Sequence, residues 1–463
     1  MKKIGFFLGS MLLWSVVTSQ PLLSHQKSLG EFLKELEQRY NVTIVFQERL
    51  VEGKLVDHAF WRLRNDIETT LHLALGPHNL VFIRQGDNHY EISPFQYHRR
   101  PPYEGAGHLS QLATLFPSLD EWELRRTHLK AHLQESLNLA PWPEKSPLRP
   151  MHSPLRLHDG YTTENVALET LPGLFLSGTL YRPVLGEGPF AAILLAQGHF
   201  MHQRFGEEPQ IMAATLARMG AVVFSYDMFA VNESQLQFSI DDHRTPTAMI
   251  VQTWNSIRVI DFLESLPYVD AARIGMTGAS GGGTQTFLAA ALDDRIAASA
   301  PVVMVSSWFY GGCACESSMP IHDCSEFRSN NVEIAAMAAP RPLLLVSVGG
   351  DWTATTPDVE FPFIENVFGF YGQTGRVNNV HLSAEGHDLG RSKREAVYHF
   401  FAGNLGLSPE SVTNASGEID ESLSVVEPHP SMYTFGENGE ELPERAIIGL
   451  ENLIKIYPFL RGQ

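Results

Sequence analysis

The chain has 463 residues, of which 44% are hydrophobic and 19% charged, so it can build a large core and does not have the composition of a disordered chain. That length exceeds one ordinary domain and points to two domains with linkers. The formal net charge of −18 excludes a nucleic-acid ligand, whose phosphates need clustered Lys and Arg.

The first 19 residues have the layout of a secretory signal peptide. Lys2 and Lys3 form a basic start, Ile4 to Val17 is apolar, and Val17 and Ser19 fit the small-residue rule for cleavage after Ser19. The stretch is shorter than the roughly 20 apolar residues a membrane span requires. No later segment is apolar enough to cross a bilayer. The expected location is the periplasm or outside the cell.

Residues 24–95 pattern as a small α+β domain. Leu29, Phe32, Leu33 and Leu36 follow helical spacing, and Val42, Ile44 and Phe46 follow strand spacing. A second strand is expected at Lys54–Phe60. Asp66 caps a helix carrying Ile67, Leu71 and Leu75, and Gly86-Asp87-Asn88 turns a final hairpin. This order resembles the short N-terminal (STN) domain of secretins and TonB-dependent receptors. The resemblance implies a protein partner and carries no site residue.

Eight prolines punctuate the stretch from Pro94 to Pro150, which reads as a linker or strap over 96–150, with one helix within Leu119–Leu139. From 151 to 408 strands and helices alternate. Expected strands are Ala191–Ala196, Ala221–Tyr226, Arg273–Thr277, Pro301–Val305, Leu343–Val348 and Val380–Ser383. Expected helices are Pro209–Met219, Thr247–Leu266 and Gly282–Leu292. Strands this apolar belong to a parallel sheet covered on both faces, an α/β domain. Residues 409–463 read as an acidic tail with a possible terminal helix.

The strongest chemical signal is Gly278-Ala279-Ser280-Gly281-Gly282, placed between a strand and a helix. This is the setting of a nucleophile elbow, in which a strained turn lifts the serine above the sheet at a helix N-terminus. A serine hydroxyl needs a general base, and the base needs a carboxylate to orient it. In an α/β-hydrolase the order is Ser, acid, His. Asp351 follows Leu343–Val348, and His387 lies in the loop after Val380–Ser383, so the expected triad is Ser280, His387 and Asp351. Asp358, Glu385 and Asp388 are the rival acids, and His381 reads as a packed side chain. The Gly281 N–H and backbone N–H groups around His199, in Gln197-Gly198-His199-Phe200, are the expected oxyanion donors.

The three cysteines, Cys313, Cys315 and Cys324, fall within twelve residues. A zinc site from them with His322 and Asp323 would have no standard ligand spacing, so no metal and no cofactor are expected. Cys313 and Cys315 are too close to pair without strain. A disulfide from one of them to Cys324 is expected to shape the mouth of the site.

The catalytic half resembles bacterial acetyl xylan esterases near the dienelactone-hydrolase-like enzymes. The resemblance rests on Gly198-His199, Tyr226-Asp227-Met228, Gly278–Gly283, Gly312–Glu316, Asp351-Trp352-Thr353 and Gly386-His387. It implies a serine esterase acting on acyl groups of polysaccharide, acetyl first, with Trp352 and Glu316 near the substrate. Dienelactone hydrolases use Cys where this chain has Ser280, and glucuronoyl esterases carry Arg where it has Gly281. Both departures argue against those two reactions. A prolyl-oligopeptidase-type peptidase shares the triad order but needs a propeller domain that this chain has no room for. A non-catalytic signalling or binding protein is the remaining alternative.

Overall fold

The computed structural model describes residues 26–56, 58–78, 80–94, 99–184, 186–322 and 328–462. The signal-peptide segment, Asp323 and Cys324 lie outside them. The chain divides into two compact units, Met1–Gln96 and Tyr97–Gln463.

The first unit packs the helices Leu29–Tyr40 and Ile67–Leu75 on a three-stranded sheet of Thr43–Val45, His89–Pro94 and Leu80–Gly86. Ser28 and Asp66 cap the two helices by accepting from Glu31 N and Thr69 N. The apolar faces meet in a core that includes Phe32, Leu36, Ile44, Leu71 and Ile92. The strand expected at Lys54–Phe60 is only Leu55–Val56, pairing with Lys27–Ser28, and Ala59–Arg62 is a helical turn.

The second unit is built on a ten-stranded sheet. Six strands run parallel in the spatial order Val377–Leu382, Leu343–Val348, Ile296–Val302, Val269–Ala279, Phe190–Ala196, Ala221–Tyr226. Helices such as Glu207–Arg218, Pro246–Ser265, Gly281–Leu292 and Arg391–Leu405 connect them. Burial on both faces explains the near-continuous apolar runs. The antiparallel pair Tyr161–Leu171 and Leu174–Pro183 extends one edge. One expected strand is displaced: Ile296–Val302 replaces Pro301–Val305, because Val303 takes φ 47° and leaves the sheet.

Phe190–Ala196 lies between the next strand in sequence on one side and Val269–Ala279 on the other. The chain therefore changes winding direction there. A crevice opens at the carboxyl ends of strands at such a switch point, and it is the usual ligand site of open α/β sheets.

Two expected accessories belong to the body of this unit. The 96–150 stretch is no free linker: Pro102–Ala113 and Leu119–Ser136 are helices, and Leu109, Phe116, Trp122, Leu129 and Leu133 are buried in the same core as Trp254, Phe287 and Leu345. Each such side chain contributes about 1.5–3 kcal/mol. The acidic 409–463 stretch is likewise anchored. Glu427 accepts from Arg156, His158 and Thr163 at 2.7–2.9 Å. Leu453, within the terminal helix Leu450–Ile456, is fully buried.

A buried ionic knot ties this C-terminal strap to the strand ends. Arg204, wholly buried, makes a bidentate pair with Asp227 at 2.8 and 3.0 Å and reaches Glu233 at 2.9 Å. Glu233 in turn accepts from the backbone N–H groups of Thr434 and Phe435. Removing Arg204 leaves two buried carboxylates without their counter-charge. Arg204→Met is expected to destabilise the fold by about 3–5 kcal/mol, read as a lowered denaturant midpoint.

Candidate active site

The elbow is built from absences of side chain. A Cβ on Gly278 would lie 2.5 Å from Ala196 O, one on Gly282 2.2 Å from the same oxygen, and one on Gly198 2.3 Å from Ala279 O. Only glycine lets the strand ends, the following helix and the Gln197–Phe200 loop come this close. Between them Ser280 is held at φ 56°, ψ −122°, a conformation that costs of the order of 1–3 kcal/mol and persists because its surroundings over-determine it. Ser280 N donates to Val302 O at 3.0 Å, which fixes the turn. Ser280 stands at the N-terminus of Gly281–Leu292, where the first N–H groups have no partner within the helix.

Asp351 and His387 come from the carboxyl ends of the two neighbouring strands. His387 Nδ1 and Asp351 Oδ2 are 2.7 Å apart. The other oxygen, Oδ1, accepts from Thr353 N and Thr353 Oγ1, each at 2.6 Å. The carboxylate is therefore fixed on both sides. His387 and Ser280 line one open cavity of about 380 Å³ with His199, Phe200, Phe309, Gly312, Cys313, Glu316 and Trp352. Trp352 and Phe200 flank the imidazole, with ring centroids 4.4 and 5.5 Å from it.

Two of the rival acids have other tasks. Glu385 and Asp388 both accept from Lys393 Nζ at 2.7 Å. The Lys393 side chain is fully buried, so it clamps the His387 loop from beneath on either side of the histidine. His381 bonds Ser347 Oγ within the sheet.

Glu316 lines the cavity, but its oxygens are already engaged. Oε2 accepts from Gly312 N at 2.8 Å and from Cys313 N at 3.3 Å, and Oε1 lies 3.3 Å from His199 Nδ1. It braces its own loop and His199 while facing the cavity. The expected disulfide is absent for the two described cysteines: Cys313 and Cys315 are free. His322 is not beside them. It is fully buried, stacked on Tyr310, and burial holds it neutral, with its pKa pushed down to about 3.

Sequence reasoning missed His243. Its Nε2 lies 2.8 Å from His199 Nε2, and the two rings meet beside the Cys313 and Cys315 sulfurs. Burial opposes charge on His199, but the Cys313 sulfur and Glu316 outweigh it and raise its pKa to about 10. No local spacing could have announced this group, because its members come from three separate loops.

Fold and site together define a serine hydrolase of the α/β-hydrolase fold. The match to methylesterase BT1017 places it further: the two chains are 40% identical, the match covers 95% of this chain and 98% of that one, and the TM-score is 0.81. The chain belongs to the family of that methylesterase, among the carbohydrate esterases. Such coverage cannot be reached without the N-terminal unit. Residues 206–315 also match the fungal glucuronyl esterase family. A 4-O-methyl-glucuronoyl methylesterase of Neurospora crassa is 23% identical over 290 residues, 53% of this chain and 69% of that one. Gly281 in place of the Arg of glucuronoyl esterases thus does not remove the chain from their neighbourhood. A Cβ at Gly281 would lie 2.9 Å from Glu316 Oε1 and 3.3 Å from the His199 ring, so a larger side chain there requires these two side chains to shift.

Two substitutions test how the histidine is held. Asp351→Asn is expected to lower kcat about 10⁴-fold with KM little changed, because it imposes the wrong tautomer. Lys393→Met is expected to lower kcat about 10–100-fold by loosening the His387 loop, again with a small change in KM. Steady-state kinetics on an activated ester read both.

Proposed function

We propose that the chain hydrolyses methyl esters of uronic acid residues in a polysaccharide, releasing methanol through an acyl-enzyme on Ser280. The observation that carries this reading is the 2.7 Å His387–Asp351 pair in one cavity with an elbow serine, in a chain 40% identical along its length to a methylesterase. In the first step Ser280 Oγ attacks the ester carbonyl while His387 Nε2 takes its proton. The Gly281 N–H and the backbone around His199 receive the oxyanion. His387 then protonates the departing methoxide. A water activated by the same imidazole releases the uronate, and Asp351 steadies the imidazolium throughout.

The cavity suits a neutral ester. Among its described lining residues none is Lys or Arg, and Glu316 disfavours retention of the anionic product. An acetyl ester would use the same serine chemistry, but the names of the relatives favour the methyl ester of a uronic acid. The basic, then apolar N-terminus supports export. In the N-terminal unit Phe60 and Trp61 are 81% and 69% exposed, which supports a protein-contacting role for that unit.

The test pairs two readouts. Methanol release from methyl-esterified polyuronate and acetate release from acetylated xylan are measured with the wild type and with Ser280→Ala. The reading predicts methanol as the dominant product and a loss of about 10⁶-fold in kcat in the variant. Acetate as the dominant product, or methanol release surviving Ser280→Ala, contradicts it.

A further inference from the structure

His199, His243 and the Cys313/Cys315 pair converge although the three segments are remote from one another in the chain. One donor atom from each lies within 4.8 Å of every other, and Cys315 Sγ is 3.3 Å from His199 Nε2. Tetrahedral zinc with bonds of about 2.0–2.3 Å sets its ligand atoms roughly 3.3–3.8 Å apart. The four atoms reach that spacing by shifts of a few tenths of an ångström to about one ångström.

The second observation is what lies behind the rings. His243 Nδ1 is 2.7 Å from Phe229 O, a carbonyl that can only accept. The proton of His243 is therefore on Nδ1, and its Nε2 presents a lone pair to the cluster. His199 Nδ1 faces Glu316 Oε1 at 3.3 Å. Metal-bound histidines are held in this way, the far nitrogen donating to a carbonyl or a carboxylate so that tautomer and ring direction are set. Here both rings are so oriented, and both turn Nε2 to one point 2.8 Å apart. A bound cation would take the place of the proton that His199 Nε2 donates to His243 Nε2, with the two sulfurs already beside it.

We propose that these four side chains form a Cys₂His₂ site for a zinc-class divalent cation. Two thiolates with two imidazoles in tetrahedral array select zinc among the common divalent ions. Binding forms two metal–sulfur and two metal–nitrogen bonds, and the protons held by the thiols and by His199 Nε2 pass to solvent. All four positions are filled by protein, so the ion is structural. It ties the Gln197–Phe200 loop, which carries oxyanion donors, to the Cys313–Cys315 loop and to His243. It would hold in place the wall of the cavity opposite His387.

Metal content of the full chain, measured by mass spectrometry after dialysis, tests this independently of which ester is cleaved. About one zinc per chain is expected in the wild type, falling about tenfold or more in Cys313→Ser/Cys315→Ser. Glu316→Gln keeps all four ligands and is expected to weaken Zn²⁺ affinity about 10–100-fold against a chromophoric chelator. Substituting Co²⁺ in the wild type should give the intense thiolate-to-cobalt absorption of a tetrahedral sulfur site, a readout that survives if the double variant does not fold. The proposal is overturned by wild type that retains no zinc after zinc supplementation, by zinc retained in the double variant, or by a cobalt spectrum without thiolate bands.

Discussion

The site depends on a backbone contact that no side chain could tolerate. Ala196 O occupies the space a Cβ would need at both Gly278 and Gly282, and Ala279 O does the same at Gly198. These contacts draw the central strand, the elbow strand and the Gln197–Phe200 loop together at the switch point of the sheet. They also force Ser280 into its positive φ. The hydroxyl is exposed to the cavity because the backbone beneath it has no room to lie flat. The surrounding sheet supplies the free energy that holds this strained turn.

From that point the remaining groups follow the architecture. Parallel strands end on one edge, so Asp351 and His387 arrive on the same side as the serine from the second and third strands along. What the topology does not supply is rigidity, and ion pairs and hydrogen bonds to charged groups supply it. Lys393 grips the His387 loop, Thr353 fixes Asp351, and Glu316 braces the loop facing them. Arg204, Asp227 and Glu233 do the same for the C-terminal strap.

The parallel strands and the placement of Ser280, Asp351 and His387 beyond strand ends were legible in the sequence because they rest on local signals: apolar runs, a glycine-framed serine, loops after strands. The helices Leu119–Ser136 and Leu450–Ile456 were legible too, but the helix Pro102–Ala113 and the anchoring of both stretches in the core were not, since prolines and charges mask apolar positions that only the folded core reveals. The cysteines show the same limit. Their neighbours His322 and Asp323 suggested a poor metal set, whereas their partners in space, His199 and His243, lie far away in the chain. Local spacing cannot report ligands that three loops bring together.

The central claim is that Ser280 is an activated nucleophile in a finished site. Reaction with a fluorophosphonate, followed by peptide mass spectrometry, tests it most directly. The account predicts a single adduct on the peptide containing Ser280 and a much slower reaction in His387→Ala. Modification elsewhere, or no adduct on well-folded protein, would contradict it.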